Sequence, residues 1–144
     1  MTPPSMSGPE PGQALAGGAA AERSAALFAD ARAMHAAALA RLDAGDIRDA
    51  AEKAWCATKR ASDGLIVART GDEPERAPDT TRGLRRLGMD DEDIRRSMSH
   101  YYVARETLHG SCFYRASCEL IEDTERLIHE TLEYIHEAER RAAV

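Results

Sequence analysis

The stretch Gly45-Asp-Ile-Arg-Asp-Ala-Ala-Glu-Lys-Ala-Trp-Cys-Ala-Thr-Lys-Arg-Ala-Ser-Asp-Gly-Leu-Ile66 reads as the core of one amphipathic helix. Ile47, Ala50, Ala51, Ala54, Trp55, Thr58, Ala61, Ser62, Leu65 and Ile66 recur at three- and four-residue steps, the repeat of a single helical face. The charged Arg48, Glu52, Lys53, Lys59 and Arg60 fall mostly off that stripe. The spacing predicts a helix over 47–70. Asp46 is placed to accept hydrogen bonds from its first free amides, and Gly45 can take the left-handed conformation that closes a preceding helix.

Upstream, Leu27, Ala31, Met34, Ala38 and Leu42 share one face and predict a helix over about 21–43. The short link between the two makes them antiparallel neighbours. Residues 1–20, rich in Pro and Gly, read as a disordered tail. Downstream, Pro74 and Pro78 mark a polar loop over 71–80. A short helix follows over about 80–87, capped by Asp79 or Thr80 and ended by Gly88. Asp90 or Asp91 then caps a helix over about 92–114, with Ile94, Met98, Tyr101, Tyr102, Leu108 and Phe113 as its apolar residues. Ser117 is placed to cap a last helix, to about 141, whose stripe runs from Leu120 and Ile121 to Ile135 and Ala138. The expected fold is all-α, an up-and-down four-helix bundle over 21–144 with a short extra helix in the 71–90 connection.

Composition agrees with closely packed helices. The chain has 144 residues; apolar types make up 43% but aromatics only 5%, so alanine, leucine and isoleucine must fill the core. The net charge of -6 argues against broad, sequence-independent DNA binding. The charge is uneven: residues 76–115 hold eight Arg against six acids, residues 116–144 three Arg against eight acids. A local basic site therefore stays open. No apolar run approaches the roughly 20 residues that span a bilayer, and no signal peptide is evident at the N-terminus. Cys56, Cys112 and Cys118 form no CxxC pair, so neither a zinc framework nor a disulfide scaffold is read, and free thiols suit a reducing cytoplasmic setting. Cys112 reads as a small buried hydrophobe, and Cys118 stands near a helix start.

Two arginine–histidine spacings carry the candidate chemistry. Arg95 and His100 are separated by four residues, Arg105 and His109 by three. A histidine can move protons near neutral pH and an arginine can stabilise phosphate charge, the needs of RNA cleavage. Equally, such spacings arise wherever arginine is common. Tyr101, Tyr102 and Tyr114 are candidate ligand contacts or helix-packing residues. Glu133-Tyr-Ile-His136 has the Glu-x-x-His spacing of di-iron bundles, but no second copy exists, so no metal and no cofactor is expected. Gly83 and Gly88 lack a phosphate-loop pattern.

Gly45-Asp46 with Ala50-Ala-Glu-Lys-Ala-Trp55 resembles the "GD…AAEKAW" helix of the HEPN superfamily. Leu108-His109 with Phe113-Tyr114 resembles the "LH…FY" signature of its small stand-alone PaREP-type branch. The likeness spans about 20–140. It implies an all-α bundle that forms a homodimer. It also implies one of three roles in stress or toxin–antitoxin physiology. These are an RNA- or nucleotide-binding module, a metal-independent ribonuclease, or a partner subunit of a nucleotidyltransferase or antitoxin. The ribonuclease motif of the superfamily, Arg-x4–6-His, fits Arg95 to His100, with Arg96 in place of the usual polar residue. Arg105 to His109 is one residue too short for it. The expected catalytic pair is therefore Arg95 and His100, with Arg105, His109, Tyr101, Tyr102 and Tyr114 as binding residues.

Overall fold

Alanine sets how the centre of the molecule packs. In the computed structural model, which describes residues 14–144, the helix α2 (Ile47–Thr70) touches every other long helix. Ala50, Ala51, Ala54, Ala57 and Ala61 are fully buried on it. Each small side chain contributes little apolar area, on the order of one methyl group's worth. Their size instead lets neighbouring helices approach closely. From Ala61 to Val67 every residue is buried, so the single-face stripe expected from the sequence widens here to the whole circumference.

Helix α1 (Gly17–Asp43) lies antiparallel to α2. The pairings Ser24 Oγ to the Gly64 carbonyl (2.8 Å), Asp30 with Arg60 (3.0 Å) and Arg41 with Asp49 (3.2 Å) fix that direction. A Cβ on Gly64 would lie 3.0 Å from the Phe28 ring, so the glycine permits this contact. The link behaves as its residues dictate. Gly45 adopts a φ of 86°, and the Asp46 carboxylate accepts from the Asp49 amide at 3.1 Å. Helix α1 begins at Gly17, four residues before the expected start. Ala20 is buried, and the Leu15 amide donates to the Gly71 carbonyl at 2.7 Å. The expected disordered tail otherwise falls on residues 1–13, which lie outside the described residues.

Helix α3 (Ala77–Asp90) is longer than the expected 80–87. Pro78 belongs to its first turn, where a missing amide costs nothing, and Asp79 reaches back to the Arg76 amide rather than preceding the helix. Gly88 lies inside α3, against the Arg95 backbone. Asp91 alone separates α3 from α4 (Glu92–Val103) and caps it, accepting from the amides of Asp93 and Ile94. The chain continues without a break into a π-helical segment, Ala104–Tyr114. One helix over 92–114 was expected, and the extent is right, but its second half is wound more widely.

Two further expectations are corrected. Ser117 does not cap the last helix: its amide donates to the Ser111 carbonyl, and α5 (Ile121–Ala142) starts four residues later, leaving Leu120 exposed. Cys112 and Cys118 are not free thiols but a disulfide, formed because the turn after the π segment folds Cys118 back over Cys112. Only Cys56 is free. The α5 stripe from Thr124 to Ala138 is buried as predicted, with Tyr134 added to it.

The result is an all-helical bundle of α1, α2, the α4–π rod and α5, with α3 packed on α2 and α4. A polar seam ties it together. Ser62 meets the Tyr134 hydroxyl at 2.6 Å, and the Thr80 hydroxyl donates to Asp63 at 2.7 Å. Asp63 is buried, which pushes its carboxyl pKa up, while Lys59 at 2.7 Å and Thr80 offset part of that cost. Among the described residues no helix is long and apolar enough to cross a membrane.

Candidate functional site

The π segment decides which side chains meet. An α-helix repeats every 3.6 residues, so residues five apart point about 140° away from each other. A π-helix, with about 4.4 residues per turn, brings positions i+4 and i+5 both beside i. His109 accordingly has Phe113 and Tyr114 alongside, with ring centroids 6.4 and 6.3 Å away. Such wide turns recur at functional sites.

His109 is held from below by α2. Its Nδ1 lies 2.8 and 3.1 Å from the two carboxylate oxygens of Glu52. Facing a carboxylate, Nδ1 is the donating nitrogen, and this bond fixes the direction in which the ring presents Nε2. One turn along α2, the buried Trp55 ring sits 5.8 Å from His109 and 5.5 Å from Tyr101. Glu52 is also 3.8 Å from the Cys56 thiol. Burial pushes that thiol's pKa up, with the Glu52 charge acting the same way, so Cys56 is a protonated donor and a poor nucleophile.

Two guanidinium groups are fixed on neighbouring rings. Arg48 donates to the Phe113 carbonyl at 2.6 Å and lies 5.9 Å from the Phe113 ring centroid. Arg105 donates to the Thr81 hydroxyl at 3.1 Å and lies 5.7 Å from the Tyr102 ring centroid. Thr81 in turn shares a 2.7 Å hydrogen bond with Tyr101, so α3 helps to set the direction of Arg105. Tyr101 is fully buried and packs the core. Tyr114 is 75% exposed, which leaves its ring open to a ligand.

The residues expected from the sequence thus divide. His109 and Tyr114 meet on the π segment, while Arg105 and Tyr102 form a second pair toward α3, with Trp55 and Tyr101 between the two. Arg95 and His100 do not share a pocket. Arg95 lines a groove against α3 and donates to the Gly88 carbonyl at 3.2 Å. His100 lines a different cleft, against α5, and stacks on Tyr134 at 5.0 Å. Five residues apart on a regular α-helix, they point in divergent directions. Burial lowers the His100 pKa to about 4, so it is neutral at neutral pH. Glu133 and His136 are exposed on α5, and no group of three or more His, Cys, Asp or Glu among the described residues is arranged to hold a metal ion.

Glu52, Arg48 and Thr81 were not expected as site residues. Glu52 showed only as a charge off the apolar stripe, and its partner is 57 residues away in the chain. The one available signal was its place in the quoted AAEKAW run, a turn before the sole tryptophan.

Comparison of the chain with protein-family descriptions, with curated proteins and with solved structures returned no match.

Proposed function

We propose that this chain is a HEPN-like binding module, directed at RNA or a nucleotide, whose ligand sits over His109. The observation that carries this reading is the Glu52-held imidazole, with the exposed ring of Tyr114 on one side and Arg48 held over the neighbouring Phe113 ring. A base stacks on an exposed aromatic ring for about 1–3 kcal/mol, and guanidinium groups bind phosphate oxygens by charge-assisted hydrogen bonds. With a net charge of -6, binding rests on these few contacts rather than on a broad basic surface. The HEPN likeness is supported by the fact that its two halves meet. Glu52 and Trp55 of the first motif pack against His109 of the second, which has Phe113 and Tyr114 alongside. Homodimerisation and a setting in stress or toxin–antitoxin physiology belong to the same proposal.

Titration with short single-stranded RNA and with mononucleotides tests it, read by the emission of Trp55, the sole tryptophan. His109→Ala and Tyr114→Ala are each expected to weaken binding about tenfold, the value of one lost stacking or charged contact. Equal binding by both variants would overturn the reading. Metal-free RNA cleavage lost in His109→Ala would turn the module into a ribonuclease at this site. Loss in His100→Ala alone would return the chemistry to the Arg95–His100 pair.

A further inference from the structure

We infer that the groove between α3 and α4 docks an acidic amphipathic helix of a partner protein. The groove encloses about 440 Å³ and runs along one side of the α3–α4 hairpin. Its floor is Gly88 and Met98, and Met89 stands at its edge, 78% exposed, the most exposed large apolar side chain among the described residues. Tyr102, 38% exposed, closes one end. Methionine, unbranched and polarisable, recurs on grooves that accept apolar helix faces.

The rim is cationic. On α3, Arg85 and Met89 lie one turn apart; on α4, Arg95, Ser99 and Tyr102 form the facing stripe. Among the described residues Arg85 forms no ion pair, and Arg95 reaches Glu92 only at 3.9 Å with its side chain 60% exposed. Guanidinium groups that border a thioether floor match a helix with aliphatic residues on one face and carboxylates beside them. A nucleic acid would meet the same charge but find little on the floor to stack on or hydrogen-bond with. This role also accounts for Arg95, which the His109 site leaves aside.

The test is fluorescence polarisation with the full chain and a labelled peptide of about 18 residues, five helical turns, carrying Leu on one face and Glu beside it. A second peptide replaces each Glu with Lys. The Glu peptide is expected to bind and the Lys peptide not to. Arg85→Glu with Arg95→Glu is expected to weaken the Glu peptide at least about tenfold and to admit the Lys peptide. Both arginines are exposed, so the double variant keeps its helical circular dichroism. Met89→Ala is expected to weaken binding without changing its salt dependence. The proposal is overturned by equal affinity of wild type and double variant, or by no binding of the Glu peptide. It is also overturned if oligo(U) RNA displaces the peptide, or if the chain self-associates in a way that the double substitution abolishes.

Discussion

The Glu52 carboxylate lies 2.8 Å from the His109 Nδ1, joining the central helix to the π segment across 57 residues of chain. The pair is part-exposed, 41% for the histidine side chain and 21% for the glutamate, so solvent screens it. A double-mutant cycle with Glu52→Gln and His109→Asn, read by urea unfolding, is expected to give a coupling of about 0.5–1 kcal/mol. A coupling of zero would mean that the contact orients the imidazole without stabilising the fold.

Two glycines have opposite expectations. Gly71 ends α2 with a φ of 80°, and a Cβ there would lie 2.5 Å from the Leu15 carbonyl oxygen. Gly71→Ala is expected to cost about 1–2 kcal/mol, from left-handed strain and the backbone clash together. Gly18 is exposed in the first turn of α1 with open space around it. Gly18→Ala is expected to be neutral or to stabilise by up to ~1 kcal/mol. Urea midpoints of the two variants decide both.

Stability is expected to fall as pH drops from 6.5 to about 4. Burial holds the folded-state pKa of His100 near 4, against 6.5 for the free side chain. Within that window the unfolded chain binds the extra proton, so acid favours unfolding, by roughly 3 kcal/mol at full extent. His35, also lowered by burial, acts in the same direction. Asp63, raised by burial, acts oppositely, since its folded form holds a proton above the usual carboxylate range and its contribution is lost as pH rises. Chemical unfolding at successive pH values, compared with His100→Gln, measures the slope; the variant is expected to flatten it.

Thiol counting checks the cysteine pairing. The unfolded but unreduced protein is expected to titrate one thiol, Cys56, and all three after reduction. Reduction, or Cys112→Ser with Cys118→Ser, is expected to lower stability by about 2 kcal/mol, the entropy of closing so short a loop.

Helix positions and most of their ends were legible in the sequence because they are local. Asp46 and Gly45 sit beside the amides and turn they serve, and the α2 and α5 stripes are spacings along one chain. Leu108-His109 and Phe113-Tyr114 were legible as a motif for the same reason. The tertiary structure alone decided that the second half of the 92–114 rod is π-wound, because the winding depends on what packs against it. It alone joined Glu52 to His109 and closed Cys112 onto Cys118. Each is a contact between side chains whose proximity no spacing encodes, since it is set by how helices with small faces settle against α2.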